Sequence, residues 1–230
     1  MFVGSASKPA VEEVEEAFEA ANPNIKLDIT FGGSGTLLNQ MTLEETGDVY
    51  MPGSDDYMDR AEQREAIKPE TRQIISWLVP AIIVPKGNPK NIRTLKDLAR
   101  PGMRIGLAKP DAVCLGNISE EILADVGLLE EVKKNVCAYG LSCSKTAHLA
   151  ELGEVDAIIG WEVFAKWSPD KVETIPLRAK TARVRNIPAA QSAFTKQPEL
   201  AQEFIDFLTS PVAQQIFQRH GYALQKPGAE

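Results

Sequence analysis

Histidine and cysteine are scarce in this chain, with only His148, His220, Cys114, Cys137 and Cys143 among 230 residues. No CxxC pair occurs, and two isolated imidazoles cannot complete a structural zinc pattern. Neither histidine stands in an arrangement with serine, aspartate or cysteine that would define a nucleophilic triad. The carboxylates pair only along helix faces, so the sequence reads as a binding protein, not an enzyme. Three thiols permit at most one disulfide and leave one over, and their spacing does not choose among the three pairings. Positive charge is also short. Lys and Arg number 25 against 32 Asp and Glu, for a net charge of −7 and a pI near 5.1. A nucleic-acid partner, which needs a basic face, is thereby excluded, and any anionic ligand must be held by local donors. Long apolar runs are missing too. The longest, Trp77 to Pro85, contains two prolines and falls far short of the roughly 20 residues that cross a bilayer. No secretory signal precedes Phe2, a start that fits either removal of an export signal or a cytoplasmic chain.

What is present is enough for a real core, since 43% of residues are hydrophobic and 25% charged. Strand and helix signals alternate through most of the length, the pattern of α/β layers around largely parallel sheets. Strands are expected at Phe2-Val3, Ile25 to Phe31, Asp48 to Met51, Trp77 to Val84, Arg104 to Leu107, around Val136, Val155 to Gly160, near Thr174 to Leu177 and from Val184 to Ala193. Helices are expected at Pro9 to Ala21, Leu37 to Glu45, Asp55 to Arg64, Thr94 to Leu98, Gly116 to Val126, Lys145 to Leu152, Pro198 to Leu208 and Pro211 to His220. Two α/β lobes follow: a discontinuous first lobe of residues 1–83 and 190–230, and a second of residues 84–189. Such a layout places a ligand cleft between lobes and lets the crossings act as a hinge.

The run Gly32-Gly33-Ser34-Gly35-Thr36 is the most informative stretch, because it joins a strand-like segment to a helix-like one. A glycine turn opening a helix aims backbone N–H groups and a hydroxyl at one point, where an oxyanion can sit. A plain turn with Ser34 as a helix cap has the same signature. Glu12, Glu13, Glu15 and Glu16 read as a solvated helix face.

The tail carries Phe204, Phe207-Leu208, Ser210, Ala213-Gln214, Ile216 and Gly221-Tyr222, and it resembles the closing helix pair of extracytoplasmic solute-binding proteins of ABC importers. Gly32 to Met41, Gly47-Asp-Val-Tyr-Met51 and Asp56-Tyr-Met-Asp-Arg-Ala61 are similar to the molybdate/tungstate-binding branch. This resemblance implies a two-lobed periplasmic-binding-protein-like fold with no cofactor, acting as a periplasmic or extracytoplasmic monomer, soluble or lipid-tethered. Its ligand would be molybdate or tungstate, enclosed by lobe closure and delivered to importer permease subunits. By position, the resemblance implies ligand donors in Ser5 or Ser7, in Ser34, Gly35 and Thr36, in the loop Cys114-Leu115-Gly116, and in Cys143-Ser144, with Trp161 where the branch often has a Tyr. No metal is ligated directly, since the oxyanion is held by hydrogen bonds. Ser144 fits a cap of the helix from Lys145 equally well, and Trp161 fits core packing. Other small anions, such as sulfate or phosphate with help from Lys8, Lys109 or Lys145, remain alternatives. So do a thiol-reactive ligand taken by Cys114 or Cys143, and the sensing domain of a regulator.

Overall fold

Short buried strands feeding amphipathic helices set the plan of the computed structural model, which describes residues 1–228. The chain opens with β1 (Phe2–Gly4), a single 3-10 turn at Ser5–Ser7, and α1 (Lys8–Ala21). Pro9 fits the first turn of α1 because its missing N–H is not needed there, and Val11, Val14 and Phe18 form the buried stripe. Then come β2 (Thr30–Gly32), α2 (Ser34–Glu44), β3 (Val49–Met51), α3 (Asp55–Gln63) and β4 (Gln73–Leu78). The middle of the chain contributes β5 (Pro80–Pro85), α4 (Leu95–Leu98), β6 (Ile105–Ala108), α5 (Cys114–Asp125) and α6 (Leu129–Lys133). It continues through β7 (Val136–Gly140), α7 (Cys143–Glu151), β8 (Ala157–Trp161), α8 (Phe164–Trp167) and β9 (Val172–Pro176). The closing elements are β10 (Arg185–Gln191), α9 (Pro198–Leu208) and α10 (Pro211–Arg219).

These elements divide into two units, Met1–Trp77 with Arg185–Lys226, and Leu78–Val184. The expected boundaries at 83/84 and 189/190 lie several residues later than these. The shift has a pairing cause: β5 runs antiparallel between β8 and β9 in the second unit, whereas β10 returns to lie antiparallel to β3 in the first.

In the first unit the sheet order is β2-β1-β3-β10-β4, with β1 parallel to both β2 and β3. Phe18 on α1 meets Phe204 and Phe207 on α9 edge-on, each ring pair 5.2 Å apart. Glu13 on α1 is bonded to both Arg219 and His220 at the end of α10, which holds its carboxyl below the usual range. Those contacts explain why the C-terminal helices close the first unit.

In the second unit the order is β7-β6-β8-β5-β9, with β6 parallel to β7 and β8. β5 and β8 are buried along almost their whole length, which is why both read as continuous apolar runs and not as alternating ones. The two prolines that bound β5 sit at its ends, where a missing N–H is tolerated. Asp156, just before β8, accepts from the Arg104 backbone N–H at 2.9 Å and from its guanidinium at 2.9 and 3.3 Å.

Several expected elements shift. The expected strand from Ile25 to Phe31 pairs only over Thr30–Gly32, because the Leu27 N–H is taken by the Glu19 side chain at 2.9 Å and the Ile25 N–H by the Asn22 carbonyl. The expected strand Trp77 to Val84 is two strands, β4 and β5, broken at Val79, whose carbonyl accepts from Glu162 N–H. Among the described residues no helix is long and apolar enough to cross a membrane.

Candidate functional site

In each unit the residues expected to bind ligand gather at the carboxyl ends of three parallel strands, where α/β sheets characteristically hold ligands. In the first unit, Ser5 follows β1, Ser34 follows β2, and the segment Pro52 to Ser54 follows β3. These three connections are pressed together. A Cβ on Gly4 would lie 2.7 Å from the Gly53 nitrogen, so β1 can end here only with glycine.

Ser34 is the first residue of α2, with Gly33 as its N-cap, so it lies within the helix and not in the turn before it. Its Oγ accepts from the Gly53 N–H at 3.0 Å, and its carbonyl accepts from the buried Tyr50 hydroxyl at 2.9 Å. A serine that accepts on one side keeps its proton for donation elsewhere. The side chain is 2% exposed and held in place from two directions. The first intrahelical bond of α2 runs from Leu37 N–H to Gly33, so the N–H groups of Ser34, Gly35 and Thr36 have no intrahelical acceptor. Gly35 is buried and Thr36 exposed. Sequence reasoning passed over Gly53 and Tyr50, which position Ser34. Their signal was only a turn and a strand aromatic.

Ser5 and Ser7 separate in role. The Ser7 hydroxyl donates to the Gly4 carbonyl at 2.9 Å, so its proton secures the single turn before α1. Both serines are buried. Lys8 pairs with Glu12 at 3.5 Å and stands over the Phe31 ring.

In the second unit, Cys114 is the first residue of α5 after β6, Cys143 the first of α7 after β7, and Trp161 the last of β8. Since β6 lies between β7 and β8, the three meet at one end of the sheet. The expected loop Cys114-Leu115-Gly116 is thus the first helical turn. Gly116 is there for packing: its N–H is taken by the Val113 carbonyl at 2.9 Å, and a Cβ on it would lie 2.6 Å from the Pro110 nitrogen and 2.7 Å from the Ala108 carbonyl oxygen. Ser142, not Ser144, caps α7, accepting from the Lys145 N–H at 3.2 Å. Cys143 and Ser144 occupy the first turn beyond that cap. Lys109 stands over the Tyr139 ring.

No disulfide links the three cysteines. Cys137 is exposed on β7, whereas Cys114 and Cys143 are 1% and 3% exposed and in hydrogen-bond contact through their thiols. That bond to Cys114, together with burial, pushes the Cys143 thiol well above its ordinary range, so it is a neutral S–H. The Trp161 indole lies against Cys143, yet its buried Nε1 has no partner of good hydrogen-bond geometry among the described residues. Each unit therefore presents buried neutral donors at helix N-termini. Among the described residues no cluster of three or more His, Cys, Asp or Glu is placed to hold a metal ion.

A sequence profile described as "Bacterial extracellular solute-binding protein" matches residues 1–223, and the chain belongs to that family. It is accordingly a solute-binding protein and not an enzyme. Among its relatives is the molybdate-binding protein ModA of Mycobacterium tuberculosis, 25% identical over 223 residues, covering 97% of this chain and 83% of the relative. Two examples stand for the solved structures that share the fold. The Azotobacter vinelandii periplasmic molybdate-binding protein superposes with a TM-score of 0.82 at 16% identity, covering 98% of both chains. The sulfate-binding protein SubI of Mycobacterium tuberculosis gives 0.85 at 18% identity, covering 98% of this chain and 85% of that one.

Proposed function

We propose that the chain captures a tetrahedral oxyanion, molybdate or tungstate, outside the cytoplasm and delivers it to the permease of an ABC importer. The observation that carries this is the donor chemistry: Ser34 oriented by Gly53 and Tyr50 in one unit, and the first turns of α5 and α7 beside Trp161 in the other. Several N–H and O–H groups on a doubly charged anion form charge-assisted bonds, while among the described residues no lysine or arginine is buried and in need of a partner of its own. The ModA relative supports the choice of anion.

Ser5, Ser34, Gly35, Thr36, Leu115, Cys143, Ser144 and Trp161 are the proposed donors, drawn from both units. Ser7 and Gly116 serve in support, because their protons are already spent on Gly4 and Val113. Binding shifts the population toward the closed form, since only that form offers the full donor set. The protein acts as a monomer, soluble or lipid-tethered. Sulfate is the rival ligand, favoured by the likeness to SubI, and discrimination would rest on cavity size and donor number.

Ser34→Ala tests the assignment. A hydrogen bond to a charged group contributes about 1.5–3 kcal/mol, so molybdate affinity measured by calorimetry falls roughly ten- to a hundredfold. An unchanged dissociation constant removes Ser34 from the site.

A further inference from the structure

The second unit holds a pair of thiols, of which the proposed oxyanion site uses only Cys143. Cys114 and Cys143 begin two helices, of 12 and 9 residues, that follow adjacent parallel strands. Their side chains touch, both are almost completely buried, and the Trp161 indole N–H beside them lacks a partner of good geometry. Inert structural cysteines are ordinarily packed singly among apolar side chains. Here two of them converge on the end of the sheet where the proposed donors gather, with a buried indole N–H against Cys143 that has no partner of good geometry.

The protonation state narrows the ligand. The hydrogen bond to Cys114 and burial keep Cys143 neutral, which disfavours a divalent cation, whose thiolate ligands must first lose their protons. An oxoacid of a trivalent thiophilic element avoids that obstacle because its own hydroxyl groups accept the protons. We propose that Cys114 and Cys143 form a dithiol site that captures a trivalent thiophilic oxoacid of the arsenous acid class. Two sulfur–arsenic bonds form and two arsenic–hydroxyl bonds break. The two thiol protons leave with those hydroxyls as two waters, the third hydroxyl stays on arsenic, and no electrons are transferred. Trp161 Nε1 donates to the retained hydroxyl. Cys137, exposed and with its thiol 3.7 Å from the Ile105 carbonyl, takes no part.

The site shares Cys143 and Trp161 with the proposed oxyanion site, but it needs nothing from the first unit and its covalent adduct is read without molybdate, so its failure and that of molybdate binding are told apart. The test is intact-mass measurement of the folded, fully reduced protein treated with sodium arsenite. The expected result is one adduct whose mass is that of arsenous acid less two waters. It persists in Cys137→Ser, while Cys114→Ser and Cys143→Ser each weaken capture at least about tenfold. Arsenite also protects residues 114 and 143 of the unmutated protein from alkylation, a readout that does not depend on the variants folding. Absence of an adduct on reduced protein, capture as strong as the unmutated protein's in either buried-cysteine variant with the native circular dichroism, or lack of protection would each overturn the proposal.

Discussion

Ser34 shows how much one side chain's role depends on its neighbours. Its hydroxyl accepts from Gly53, so replacing it removes both a proposed ligand donor and the acceptor of a buried N–H. The bond to Gly53 predicts that Ser34→Ala also loses about 1–3 kcal/mol of stability, the penalty of leaving a buried amide unmet. Asp156 makes a separate prediction in the second unit. Burial opposes its ionisation, but the Arg104 backbone N–H and guanidinium outweigh that and hold the carboxyl below its usual range. A carboxyl with a depressed folded-state pKa contributes stability that is present above its unfolded pKa and is lost as pH falls through the folded value. Asp156→Asn should therefore unfold more easily at pH 7, by about 1.5–3 kcal/mol. The gap between variant and unmutated protein should narrow below about pH 4. Denaturant titrations at several pH values measure this, and a gap independent of pH would contradict it.

Periodic helices were the elements most legible in the sequence. α9 and α10 lie where Ala201, Phe204, Ile205 and Leu208, then Ala213, Ile216 and Phe217, repeat at helical spacing. Short strands were less so. The alternation from Ile25 to Phe31 is as regular as a strand's, yet most of it pairs with nothing, because Glu19 and Asn22 claim its N–H groups. For the proposed site, the glycines around Ser34 lead to the start of α2. Gly53 could not be read as the partner of Ser34, since that contact depends on β1 and β3 lying side by side. The meeting of Cys114 and Cys143 was hidden for the same reason: it follows from the parallel pairing of β6 and β7. The start of α5 gives a prediction of its own. Gly116→Ala would force a methyl group into the backbone of Ala108 to Pro110, a rigid obstacle. Overpacking of that kind destabilises by about 1–3 kcal/mol, which for a chain of this size lowers the melting temperature by several degrees. An unchanged melting temperature would mean that α5 can move aside freely.

The molecule as a whole repeats one device. Each unit is a five-stranded sheet that brings three parallel strand ends, and the helices following them, to one place. Under the proposed function, the neutral donors of each unit make the ligand's charge, and not the protein's, the source of bond strength, which would let a chain of net charge −7 take up an anion. Because the proposed donors are amides, hydroxyls, an indole and a thiol pushed upward in pKa, none changes charge near neutrality.

Melting of the protein with and without oxyanions tests that central claim most directly. A ligand that binds only the folded form stabilises it by about 2.7 kcal/mol at a free concentration one hundred times its dissociation constant. That amounts to roughly 5–10 °C for a chain of this length. Molybdate and tungstate should each raise the midpoint by several degrees, equally between about pH 6 and 8, with sulfate and phosphate giving little. A shift from sulfate as large as that from molybdate, or one that disappears across that pH range, would contradict the neutral-donor molybdate and tungstate site.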